Sequence, residues 1–211
     1  MRLLIYDRTC VRTGGGLTAP WTAGSWLYRR LGRLDRARGV ASWDEALAWL
    51  AAQPGPIAEI QYWGHGRWGN ALIAGQPLGE ASLVAGGPHH GALRAVRARL
   101  APGALLWLRT CEAFGARAGI AWAEALSDFF GAHVAGHTHV IGYHQSGLRG
   151  LRPGAHADWD PTEGLAEGSA DAPVRALGSR PWAPRTVTCL TGAVPPSWFA
   201  GAVPAPSAPP R

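Results

Sequence analysis

Two segments far apart in the chain each run apolar for several residues and then stop at a side chain that can do chemistry. Ile57–Gly69 reads IAEIQYWGHGRWG and reaches His65, followed by Gly66; Ala104–Gly115 reads ALLWLRTCEAFG and reaches Cys111 after Thr110. Apolar runs this long suit strands buried on both faces, the habit of a parallel sheet covered by helices. In open sheets of that kind reactive groups gather just beyond the carboxyl ends of the strands. If the two strands are neighbours, an imidazole and a thiol meet at one rim. The chain is then an α/β protein with a mainly parallel central sheet and helices on both faces.

The remaining segments fit that scheme. Arg2–Asp7 reads as a first, central strand, and Arg8–Pro20, with Gly14-Gly15-Gly16, as a loop at its carboxyl end. Leu27, Leu31 and Leu34 have helical spacing within Ser25–Leu34. Val40 suits a short strand. Ser42 and Glu45 form a capping-box pattern for a helix to about Gln53, with Trp43, Ala46, Leu47 and Leu50 inward. Trp68–Leu78 reads as a small hairpin turning near Asn70 and Gly75. After His89-His90 at a turn, Leu93, Val96 and Leu100 mark a helix that Pro102-Gly103 stops. Ala116–Phe130 is the clearest helix, ended by Gly131. Beyond Gly142 periodicity fades, with one plausible last strand at Thr186–Leu190.

At 211 residues and 22.3 kDa the chain has room for one domain with a sizeable core. That domain is expected over residues 1–194, with a Pro/Ala-rich tail over 195–211. No apolar run reaches bilayer length, and the apolar start after Arg2 is too short for a signal peptide, so no membrane partner is expected. The formal charge of +6 invites a nucleic-acid reading. All 20 basic residues are arginine, however, in a chain rich in alanine, glycine and proline. A GC-rich coding sequence produces that pattern by itself, and nucleic acid is not among the expected partners. Cys10, Cys111 and Cys189 make an odd number with no metal-type spacing, which points to a reducing, cytoplasmic setting.

A thiol is only slightly ionised at neutral pH, so a nucleophilic cysteine needs a positioned imidazole or a depressed pKa. His65 can take the Cys111 proton and return it to a leaving amine. A glycine after the histidine lets backbone approach a substrate closely, and the Gly66 and Cys111 amides can face a developing oxyanion.

His65-Gly66-Arg67-Trp68-Gly69 at the end of an apolar strand, followed by an apolar run ending in Cys111, resembles the caspase-like, or clan CD, cysteine peptidases, in their bacterial branch. The resemblance covers roughly Met1 to Gly142, and its specific part is the two blocks. It implies a caspase-like three-layer sandwich with a small hairpin after the catalytic histidine. It also implies a cysteine endopeptidase acting on a protein or peptide substrate without a cofactor. In that reading Cys111 is the nucleophile, His65 the general acid/base, and Gly66 with Cys111 the oxyanion donors. The loop after the first strand would help to shape the cleft, and the region after Gly142 the pocket for the residue before the scissile bond. Asp7, Arg12, Glu112, Asp158 and Asp160 are the substrate-binding candidates, and their acids suggest a basic residue there. Caspases carry Gln-Ala-Cys-Arg-Gly where this chain has Arg109-Thr110-Cys111-Glu112-Ala113, so the resemblance does not carry aspartate specificity with it.

Two other readings stay open from the sequence. One is a catalytically inactive scaffold of the same fold that binds a protein partner. The other is a metal-dependent hydrolase using the His133–His144 cluster, since alternate residues His137 and His139 would share a strand face, with His133 or His144 as a third ligand. The oligomeric state is not legible from the residues.

Overall fold

The structure is a computed structural model that describes residues 1–11 and 16–201. In chain order the elements are β1 (Arg2–Asp7), α1 (Thr18–Arg30), β2 (Arg36–Val40), α2 (Trp43–Ala51) and β3 (Ile57–Trp63). A hairpin of β4 (His65–Gly66), β5 (Asn70–Ile73) and β6 (Gln76–Gly79) follows, then α3 (His90–Arg97), β7 (Leu100–Arg109), α4 (Ala116–Phe130) and β8 (His133–His137). The last part holds β9 (His144–Gln145), β10 (Leu148–Leu151), β11 (Leu165–Gly168), β12 (Pro173–Ala176), β13 (Val187–Thr188) and β14 (Phe199–Ala200).

Among the described residues, seven strands form one sheet in the order β14-β10-β8-β7-β3-β1-β2. Strands β2, β1, β3, β7 and β8 all run parallel, and β10 enters antiparallel to β8. The expected α/β class with a mainly parallel sheet is therefore present.

The faces separate by the two-residue period of a strand. Leu3, Ile5, Ile60, Tyr62, Leu106, Leu108 and Val134 point to one side and pack with α2, α3 and α4 in the main core. Leu4 and Trp63 point to the other side, against Tyr28 of α1, where Trp107, Ala135 and Leu148 meet Val187 and Val194. Strands buried on both sides are why the sequence runs are apolar rather than alternating.

Local signals explain most boundaries. Ser42 caps α2 by accepting from the Glu45 N–H, while the Glu45 carboxylate accepts from the Ala41 N–H at 2.9 Å. Trp43, Ala46, Leu47 and Leu50 are its buried residues, as expected. Gly131 ends α4 at φ 58°, a left-handed position that suits glycine.

Three expectations are corrected. The first helix starts at Thr18, inside the presumed loop, and buries Ser25 and Tyr28, whereas Leu31 lies beyond its end and is exposed. The leucine spacing misled because an aromatic one residue after Leu27 supplies the apolar contact. Pro102-Gly103 does not follow a helix but lies inside β7, in the stretch where its pairing with β3 is irregular between Ile57 and Glu59. The expected tail loses its first residues to the sheet, because Phe199 and Ala200 pair with Gly150 and Leu151. Residues 202–211 lie outside the described part. No described helix is long and apolar enough to cross a membrane.

Trp122 of α4 is fully buried with its ring edge to face against Phe114, and its indole N–H has no acceptor. Trp122→Ala is expected to cost about 3–5 kcal/mol in urea denaturation. Trp122→Phe, which also removes the unpaired N–H, should cost clearly less.

Candidate active site

The site is built where β3 and β7 end together. Their parallel register places Trp63 opposite Arg109, so the chain leaves the sheet at His65 and at Cys111 on the same rim. The two exits are in contact. A Cβ added to Gly66 would lie 2.5 Å from Thr110 Oγ1 and 2.8 Å from the Cys111 carbonyl oxygen. Only a residue without a side chain fits there, and the reason is close approach, not an unusual φ. The Gly69 N–H donates to the Ala113 carbonyl at 2.9 Å, tying the histidine hairpin to the cysteine turn a second time.

The cysteine turn is fixed from below. The Glu112 and Phe114 N–H groups donate to the His139 and His137 carbonyls, both at 3.0 Å, so the turn lies along the chain leaving β8. Phe114 is buried, its ring against Gly136, where a Cβ would come within 2.8 Å. Glu112 has φ 42°, a left-handed conformation uncommon for a residue other than glycine and a mark of local strain beside the thiol.

His65 and Cys111 line one cleft of about 430 Å³. No hydrogen bond joins them directly. The His65 Nε2 lies 3.2 Å from Cys10 Sγ, and Trp21 packs edge to face on the ring at 5.8 Å. The Cys111 sulfur accepts from the Ile141 N–H at 3.4 Å and contacts the Ile141 carbonyl at 3.9 Å. Burial pushes the Cys111 thiol above its ordinary pKa; the Ile141 N–H and its own N–H favour the thiolate, while the Glu112 charge opposes it. None of the three cysteines forms a disulfide.

Beneath the cleft lies Arg109, 4% exposed. Its Nε and Nη2 donate to Gln145 Oε1 at 3.1 and 2.9 Å, and Nη1 donates to the Tyr28 hydroxyl at 2.9 Å. The Thr188, Cys189 and Thr191 carbonyls take its other donors at 3.0–3.2 Å. The guanidinium also lies 4.3 Å from the Trp107 ring centre and 5.5 Å from that of Trp63. Burial lowers its pKa, with Tyr28 opposing.

The substrate-binding candidates divide. Asp7 is 2% exposed, and its carboxylate accepts from the Thr9 N–H and hydroxyl and from the Ala74 N–H, so it braces the loop after β1 instead of facing a substrate. Asp158 lies 3.9 Å from Arg149, which also pairs with Glu163. Asp160 accepts from the Thr162 N–H and hydroxyl. Neither aspartate lines the cleft. Glu112 adjoins Cys111 without lining it; burial raises its pKa, and the Arg67 charge opposes this. Arg12 lies outside the described residues.

The sequence missed Cys10 and Arg109. A signal existed for each: Cys10 stands three residues after β1, in the loop assigned to the cleft, and Arg109 is a lone cation ending a buried strand.

The histidine cluster does not converge. Among the described residues no group of three or more His, Cys, Asp or Glu side chains could hold a metal ion. His133 and His137 stand at opposite ends of β8, about 13 Å apart along a strand. His137 is fully buried, with Nδ1 at 3.1 Å from the Ser146 carbonyl and Nε2 without a partner. His139 Nδ1 lies 2.9 Å from the Thr138 hydroxyl.

No family model, curated protein or solved structure matches this chain.

Two predictions follow from the titrating groups. Since the Glu112 charge opposes the thiolate, Glu112→Gln should move the midpoint of Cys111 alkylation against pH downward, as read by iodoacetamide labelling and peptide mass mapping. Burial lowers the His137 pKa from 6.5 to about 3. The folded state then binds fewer protons than the unfolded state below pH 6.5. The stability this neutral histidine contributes is complete above that pH and is lost progressively toward pH 3. His137→Gln should flatten that part of the acid limb in urea titrations.

Proposed function

We propose that the protein is a cysteine endopeptidase of the caspase-like type, with Cys111 as nucleophile and His65 as general acid/base. The observation that carries this reading is the contact of the two strand exits. Gly66 lies against Thr110 and the Cys111 carbonyl, and the cysteine and histidine line one cleft at the carboxyl end of a parallel sheet. The hairpin directly after His65 supports the caspase-like three-layer form of the fold. The proposed setting is the cytoplasm, supported by three cysteines outside disulfides.

In the tautomer whose Nε2–H donates to Cys10 Sγ, the His65 Nδ1 keeps its lone pair and accepts the Cys111 proton as the sulfur attacks the substrate carbonyl. The Gly66 and Cys111 amides stabilise the oxyanion. Nδ1–H then protonates the leaving amine, and water releases the acyl group from sulfur with the same imidazole as base. Cys10 acts through His65, as a positioning residue.

A specific observation favours a second reading, the catalytically inactive scaffold. The Cys111 thiol is held in its neutral form by burial, and His65 Nε2 is engaged by another thiol. Peptide hydrolysis separates the two. With a mixed peptide library, Cys111→Ala should reduce turnover to background and His65→Ala should lower kcat/KM by about 10²–10⁴-fold. Cys10→Ser should keep part of the rate that Cys10→Ala loses and shift the pH profile less. Hydrolysis unchanged in Cys111→Ala removes the peptidase reading.

A further inference from the structure

Resting on the peptidase reading, we propose that the cleft beside Cys111 takes a bulky uncharged apolar side chain, aromatic or branched aliphatic, next to the scissile bond. Its volume of about 430 Å³ lies at the small end for ligand sites, enough for one large side chain and a short length of backbone. Its walls are Trp21, Leu27, Trp63 and Leu190, with the Tyr28 ring behind them. Burying apolar area against such walls is the interaction they offer.

Charge is refused in both signs. No carboxylate lines the cleft among the described residues, so a basic side chain finds no counter-charge. Of the acids that the sequence offered for that task, Asp7 is bonded to Thr9 and Ala74 and Asp160 to Thr162, Asp158 lies beside Arg149, and Glu112 adjoins Cys111 without lining the cleft. What a basic side chain does meet is Arg109, a guanidinium that is always charged. An acidic side chain fares no better than a neutral one in hydrogen bonding. Every donor direction of Arg109 is already satisfied by Gln145, Tyr28 and the Thr188, Cys189 and Thr191 carbonyls. A substrate carboxylate would strip those carbonyls of their donors before gaining any of its own, and it would shed its water to do so. The proposed apolar preference departs from the basic preference suggested by the sequence.

The test uses four peptidyl electrophiles identical except for phenylalanine, leucine, arginine or aspartate next to the warhead. Labelling of Cys111 is followed by intact mass, with Cys111→Ala as control, and each rate is normalised to that of iodoacetamide on the same protein. The phenylalanine and leucine reagents should react at least about tenfold faster than the charged ones. Leu190→Ala, at a half-exposed position that can lose its side chain without opening the core, should reduce that advantage. If the arginine or aspartate reagent reacts as fast or faster, the specificity inference falls and the peptidase reading stands. If all four react no faster than a control electrophile without a peptide, the peptidase reading falls and takes the specificity with it.

Discussion

Everything at the candidate site depends on the parallel pairing of β3 with β7. A parallel pair needs a crossover between its strands, and here the hairpin and α3 supply it, returning the chain so that Trp63 comes opposite Arg109. Both strands then finish at the same level, and what each carries next must share a small space. The absence of a side chain at Gly66 lets the two exits close on each other. The same pairing puts Trp63, Trp107 and Arg109 on one face of the sheet, where the indoles flank the guanidinium. The register that unites thiol and imidazole therefore also makes the wall and base of the cleft beside them.

Arg109 ties that wall to the late part of the chain. Its acceptors lie in α1, in β9 and in the segment from Thr188 to Thr191; β9 and β13 pair with each other, and Arg109 ties that small ladder to α1. A buried cation is costly to desolvate, and truncating it leaves several carbonyls without donors. Here the charge is spread over many neutral acceptors and aromatic faces, with no carboxylate hydrogen-bonded to it. Such a base leaves the cleft a positive charge whose hydrogen-bond donors are all taken.

The elements whose signals were local could be read from the sequence. The capping pair Ser42 and Glu45, the apolar positions of α2, and Gly131 at the end of α4 each act within a few residues of where they appear. The two strand exits were legible too, because burial on both faces of the sheet leaves short apolar runs, each ending where the chain turns to His65 or Cys111. The misreadings came from contacts between distant segments. Tyr28 became the buried residue of α1 because Leu4, Leu34 and Trp63 meet it, and nothing near it in the sequence says so. Asp7 looked like a pocket acid because its position at a strand end is right, but its carboxylate is taken by Thr9 and Ala74. Cys10 had no assigned role because its neighbour in the fold, His65, is 55 positions away in the chain.

At the far border of the sheet, among the described residues, β2 has only β1 as a neighbour, and its outer line of amides and carbonyls has no described strand beside it. Arg36 and Arg38 stand exposed along that strand, each reaching a side chain in or just after α2. Cations in such a place make it unfavourable for another molecule to dock its own extended segment there, since two like copies would bring four guanidinium groups together. Part of the arginine excess that first suggested nucleic acid thus works as a fence, keeping the sheet from growing by addition of a neighbour.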